Sequence, residues 1–156
     1  MVQNNPINNE VYVGEKEMVI TQIFDAPREL VFQAWTQPEH LAQWWGPKGF
    51  TNTFKEFDLR PGGTWEFIMH SPDGHDFPNK IIFVDIVSSE RIVLNHVSGP
   101  HFQITATFEE HAGKTRFTFC QSFETVKEFD KVKSFAVDGN KETIGRLEDQ
   151  IRVMSH

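Results

Sequence analysis

The side chains of this chain that could take part in chemistry are few. His70, Asp73, His75 and Asp76 crowd one short stretch, and imidazole with carboxylate is a ligand set for zinc and related ions. Their spacing matches no metal signature, Asp73 belongs to the turn Pro72-Asp73-Gly74, and hairpin tips are solvated, so no metal is expected. His96 and His101 flank a second turn, Ser98-Gly99-Pro100, and are read the same way. Glu56 and Asp58 alternate with Lys55 and Phe57, which sets both carboxylates on one strand face about 7 Å apart. An inward face would make them an acid/base pair; a solvated face, or contact with Arg60, is the expected placement. Cys120 lies on the face opposite Phe117 and Phe119 with no histidine placed beside it, which reads as a structural thiol. Pro61-Gly62-Gly63 joins two strands and does not lead from a strand into a helix, so it is neither a phosphate loop nor a dinucleotide fingerprint. No catalytic set stands out and no cofactor is implied.

What remains is apolar. Fifteen Phe and four Trp against a single Tyr describe an interior with few polar handles. Trp65, Phe67 and Met69 alternate along one segment, Phe102, Ile104 and Phe108 along another, and Phe117, Phe119 and Gln121 along a third. Such a stripe is either the core of a sheet or the wall of an apolar cavity, the usual form of a small-molecule site. Gln121 is its polar member and, once buried, needs a partner from protein, water or ligand. Trp44 and Trp45 fall on a short helix, where neighbours point about 100° apart and cannot both face one core. One of the two is expected to look into a cavity or solvent. Ile144 and Leu147 supply the apolar face of a last helix opposite the stripe.

The elements that position these residues follow from periodicity. Glu17 to Phe24 alternates as a strand that Asp25-Ala26-Pro27 stops. A short helix follows, with Asp25 as candidate cap and Leu30/Ala34 and Val31/Trp35 four apart. Thr36-Gln37-Pro38-Glu39 has capping-box spacing and opens a second short helix that Gly46-Pro47 ends. From Phe50 to Phe123 the pattern has period two with turn chemistry at intervals, which gives six strands of an antiparallel meander. Arg60-Pro61-Gly62-Gly63 is built for a type II turn, with proline at its second position and glycine at its third. Helical period returns weakly at Val126, Phe129 and Val132 and clearly at Ile144, Leu147, Ile151 and Met154, with Asp138, Gly139 or Asn140 as the expected start of the last helix. That helix and the apolar sheet face complete each other.

A length of 156 residues fits one core, and a net charge of -7 with scattered Lys and Arg gives no stripe for nucleic acid. Residues 1–15 read as a flexible arm, in which Val11-Tyr12-Val13 suits a short edge strand, and 16–156 as a single domain. The N-terminus has neither a basic nor an apolar signal region, and no apolar run approaches 18 residues, so a cytoplasmic protein without a membrane span is expected. An edge strand or the arm offers a dimer contact that nothing demands, so monomer and homodimer both fit.

Several motifs fall in a fixed order: Ile23-Phe24-Asp25-Ala26-Pro27, Val31-Phe32-Gln33-Ala34-Trp35-Thr36, Pro38-Glu39-His40-Leu41, Trp44-Trp45-Gly46-Pro47 and Phe57-Asp58-Leu59-Arg60-Pro61-Gly62-Gly63. In these the chain resembles the heat-shock protein 90 ATPase activator homologue family of the SRPBCC superfamily, over nearly all of residues 16 to 154. The resemblance implies an α+β helix-grip fold, START-like or Bet v 1-like: a curved antiparallel sheet of about seven strands, two short helices after the first, and a long C-terminal helix across the sheet. It also implies a cavity between sheet and helix that in related proteins holds small apolar ligands. Two positions depart from the family pattern. Asn79 stands where a glycine often opens a strand, and Asn140 follows Gly139 where the family has tryptophan.

The expected function is binding of a small hydrophobic or aromatic molecule, with Trp44, Trp45, Trp65, Phe67, Met69, Phe102, Ile104, Phe108, Phe117, Phe119, Gln121, Ile144 and Leu147 as candidate lining. One alternative is a protein-interaction module that stimulates a chaperone ATPase, as the family name implies. Another is a cyclase, dehydratase or hydrolase in the same cavity, which needs Glu56, Asp58 or His96 turned inward.

Overall fold

Alternation builds the sheet in the computed structural model, which describes residues 9 to 155. In β2 (Glu17–Phe24) the side chains of Met18, Ile20, Gln22 and Phe24 are buried while their neighbours stay at least partly exposed. The same rule holds in β4 (Thr64–His70), β6 (Arg91–His96), β7 (Phe102–His111) and β8 (Lys114–Ser122). With β1 (Asn9–Val13), β3 (Thr51–Phe57) and β5 (Asp76–Val87) they form one antiparallel sheet of eight strands in the order β1-β2-β8-β7-β6-β5-β4-β3. The eighth strand is β1, which folds back on β2 through Gly14, whose N–H bonds to Glu17 O at 2.8 Å. Thus residues 9–13 of the expected arm are an edge strand, and the rest of its start lies outside the described residues.

Two bulges break the period-two rule. The register between β3 and β4 shifts between Phe54 and Glu56, so Phe54 and Phe57, three residues apart, both pack on the core. A second shift at Phe83/Asp85 lets Phe83 and Ile86, also three residues apart, both pack on the core. The turn at Arg60–Gly63 forms as expected: Gly63 N–H bonds to Arg60 O at 2.8 Å and Gly62 takes φ +84°.

Helix α1 (Arg28–Thr36) starts at Pro27 without a side-chain cap, so Asp25 does not cap it. Helix α2 (Pro38–Trp44) starts at Gln37, and the Thr36–Glu39 capping box does not form. Thr36 still belongs to α1, and its hydroxyl donates back to Phe32 O at 2.9 Å. Helix α3 is one continuous element from Val126 to Met154, which begins well before the expected start at 138–140. Its cap is Thr125, whose hydroxyl oxygen accepts from the Glu128 N–H at 3.1 Å, the spacing of a Thr-x-x-Glu pair. No helix of the described residues is long and apolar enough to cross a membrane.

The core lies between the sheet and the three helices, with Phe129, Ile144, Leu147 and Ile151 of α3 buried in it. Trp35 of α1 sits 4.9 Å from Trp44 and 5.6 Å from Trp45 between ring centroids, and Trp45 sits 4.8 Å from Trp65, so the four tryptophans form one cluster. Both Trp44 and Trp45 are buried because α2 ends between them: Trp45 is extended, at φ -67° and ψ 126°, and its ring enters from a different side.

Candidate functional site: a cavity under the middle of the C-terminal helix

Between Phe129 and Thr143 no side chain of α3 is fully buried, although the helix runs on across the sheet. The face turned to the sheet there carries Ala136, Gly139 and Asn140, which are too small or too polar to fill the gap. A cavity of about 210 Å³ lies beneath them. Phe135 stands at its rim, 67% exposed. Along α3 the lining residues Phe135, Ala136, Gly139, Asn140 and Thr143 recur at helical spacing on one face.

Of the side chains singled out in the sequence, Trp45, Met69, Phe102, Ile104, Phe119 and Gln121 line this cavity. Trp44, Trp65, Phe67, Phe108, Phe117, Ile144 and Leu147 do not; they are packed into the core beside it. The reason is coverage by the short helices. Phe32 and Trp35 of α1 sit on Phe108 at 5.5 and 6.2 Å, and Trp35 reaches Phe117 at 6.0 Å, which fills that half of the sheet. Trp65 stacks on Phe67 at 4.4 Å, closing the neighbouring strand, and Trp44 is tied down by its indole N–H to Ala34 O at 2.9 Å.

Gly46, Pro47, Asn79 and His96 complete the wall together with the α3 residues. His96 is therefore more than a turn residue: it is buried, with its ring stacked on Phe102 at 4.5 Å and 3°. Its Nδ1 faces Pro100 O at 2.8 Å, an acceptor only, so that nitrogen carries a proton; Nε2 lies 2.6 Å from the Asn79 side-chain amide. The Asn79 oxygen would favour a second proton on Nε2, yet no carboxylate bonds to the ring and the imidazole is largely buried. Burial is the larger effect and pushes the imidazole below its usual range, with the Pro100 bond opposing and His101 adding to the depression.

The loop that supplies Gly46 and Pro47 is held by Arg146 of α3. Its guanidinium donates to Gly46 O at 2.8 Å and to Pro47 O, Gln43 O and Phe50 O at 2.9 Å each. Two of these carbonyls are the loop's own cavity-lining residues, and Gln43 belongs to the last turn of α2, where a cation suits unpaired carbonyls. No carboxylate pairs with Arg146 among the described residues.

The other candidates lie elsewhere. Glu56 is exposed and turned away by the β3 bulge, and Asp58 accepts from Arg60 Nε at 2.8 Å. On the outer face of the sheet Thr53 Oγ1 meets His70 Nε2 at 2.8 Å and His70 Nδ1 meets Asp76 Oδ1 at 2.7 Å, a chain that ties β3, β4 and β5 together. At the hairpin tip Asp73 is bound by Ser71 and His75, in that order of effect, and these hold its carboxyl below the usual range. Each histidine of the cluster already has its carboxylate, and among the described residues no three His, Cys, Asp or Glu converge for a metal. Cys120 is half-buried, and burial, then Glu17, raises its thiol pKa.

The family model described as Activator of Hsp90 ATPase homolog 1-like protein matches residues 25–151. The chain belongs to this family. Several solved structures are similar to it in fold. A protein from Nitrosomonas europaea is 24% identical with a TM-score of 0.84, covering 92% of this chain and 99% of that one. A protein from Arthrobacter aurescens is 22% identical with a TM-score of 0.85, covering 92% and 91%. An AHSA1-like protein from Aeromonas hydrophila is 18% identical with a TM-score of 0.72, covering 89% and 94%. At these identities the likeness establishes the helix-grip fold alone. No curated protein sequence matches the chain.

Proposed function

We propose that this member of the family binds a small, largely apolar molecule in the cavity between the sheet and α3. The observation that carries the reading is the choice of side chains over the cavity. A helix that buries Phe129, Ile144, Leu147 and Ile151 elsewhere presents Ala136, Gly139 and Asn140 here, and the space so left is walled by Trp45, Met69, Phe102, Ile104 and Phe119. An unfilled apolar space forfeits roughly 24 cal/mol for each Å³ of cavity, a cost that a ligand offsets. Binding is favoured over catalysis because His96, the one titratable group on the wall, has Nδ1 turned to Pro100 O and Nε2 turned to the Asn79 amide, so both ring nitrogens face protein groups and not a substrate.

The test is native mass spectrometry of protein purified without denaturation from the cells that make it. A bound mass that is released on unfolding, and is absent from Ala136→Trp protein with the cavity blocked, is the expected result. A protein that carries no adduct, and whose melting temperature is unmoved by any apolar probe of one or two rings, would overturn the reading.

A further inference from the structure

The polar groups on the cavity wall do not cancel one another, and their remainder describes what would complete them. Asn140 Nδ2 donates to Gln121 Oε1 at 2.7 Å and to Met18 Sδ at 3.0 Å, which uses both of its hydrogens. The Asn140 oxygen and the Gln121 NH2 are left without a protein partner among the described residues, though Gln121 is only 7% exposed. Neither atom is sealed off in the way that Trp35 Nε1 and Trp65 Nε1 are, so both still touch open space. Turning an amide over does not remove the remainder: two primary amides sharing one hydrogen bond always leave a carbonyl oxygen and an N–H to spare.

The surroundings restrict what can meet them. No Asp, Glu, Lys or Arg lines the cavity, so a carboxylate or an ammonium would enter without a counter-charge. A ketone or ether would satisfy the Gln121 N–H and set a second oxygen against Asn140. A hydroxyl both accepts and donates at one atom. The aromatic part of the wall includes the rings of Trp45, Phe102 and Phe119, which favour an aromatic guest edge-on or offset. The volume of about 210 Å³ exceeds the roughly 150 Å³ that houses a benzene in an engineered cavity, leaving room for a second fused ring. Resting on the ligand reading above, we propose that the cavity selects a neutral aromatic molecule of one or two fused rings bearing a hydroxyl, which accepts from Gln121 Nε2–H and donates to Asn140 Oδ1.

Calorimetric titration with 2-naphthol, naphthalene and 2-naphthoate tests this. Wild-type protein should bind 2-naphthol about fivefold to tenfold more tightly than naphthalene, as one net hydrogen bond gives, and 2-naphthoate most weakly. In Gln121→Leu and in Asn140→Leu the preference for the hydroxyl should fall to about one while naphthalene binds as before or better. If Gln121→Leu fails to fold by near-ultraviolet circular dichroism, the half-buried helix position Asn140 carries the test alone. Equal binding of 2-naphthol and naphthalene by wild-type protein, or a preference that survives both substitutions, overturns the hydroxyl anchor and leaves the cavity reading standing. Tightest binding by 2-naphthoate overturns neutrality. Failure of both arenes to bind overturns the anchor together with the ligand reading on which it rests.

Discussion

Arg146 in α3 and Gly46 in the loop after α2 are joined by a 2.8 Å hydrogen bond between positions far apart in the chain, with three further carbonyls held by the same guanidinium. One side chain thus fixes a wall of the cavity to the helix that roofs it. Replacement by Met keeps the apolar stem and strands four carbonyls, with an expected loss of about 3 kcal/mol. Lys restores the charge without the planar fork and should recover only part of that loss. Urea unfolding of both variants decides it; a Met variant as stable as wild type would show that the clasp is idle.

Gly145 lies on the exposed side of α3, where a Cβ would meet open space. Gly145→Ala should stabilise the protein by about 1 kcal/mol through helix propensity alone, raising the melting temperature by about 2–4 °C. Calorimetry should register this with no change in probe binding, since Gly145 is not on the cavity wall.

The two glycines of the turn after β3 separate space from conformation. A Cβ on Gly62 would meet nothing, but φ is +84°, so Gly62→Ala should cost about 1 kcal/mol. A Cβ on Gly63 would run into the backbone carbonyl oxygen of Asp58, which cannot move aside while Asp58 N–H is bonded to Thr64 O. Gly63→Ala should therefore cost upwards of about 3 kcal/mol, read as a lower urea midpoint.

His96 gives the stability a step in mild acid. Its folded-state pKa is depressed below the ordinary value of about 6.5, so the unfolded chain binds its proton first. The contribution is fully present above about pH 6.5 and is lost as the pH falls through the folded-state value. Unfolding free energies measured between about pH 5 and 8 should decline toward acid, and His96→Gln should flatten that part of the curve. An unchanged slope in the variant would assign the decline to other groups.

The strands were legible because one face of the sheet is buried almost throughout, and alternation then records the fold directly, as in Trp65, Phe67 and Met69. Alternation failed where a bulge intervened: nothing in Phe54-Lys55-Glu56-Phe57 announces that two phenylalanines three apart will share a face. The start of α3 is masked for a physical reason. Hydrophobic period reports contact with a core, and between Phe129 and Thr143 the helix faces a cavity, so the period fades while the helix continues. The half of the site contributed by the sheet was partly visible as a stripe, whereas Ala136, Gly139 and Asn140 are recognisable only once they are known to lie opposite it. His96 has a signal in the sequence, since Ile92, Leu94 and His96 alternate onto the buried face of β6, but the turn chemistry of Ser98-Gly99-Pro100 that follows masks it.

Strand order adds a demand on assembly. From β3 to β8 every neighbouring pair is a hairpin, and β1 with β2 is another, but β2 finds β8 only across more than half of the chain. Closing that loop is the entropically costliest pairing in the sheet, because non-local contacts reward the chain only after its ends have met. It is also the pairing that sets Met18 beside Gln121, within reach of Asn140. The Met18 contact in the polar corner of the cavity therefore depends on this long-range pairing, and a chain with every hairpin formed but β2 undocked would lack it.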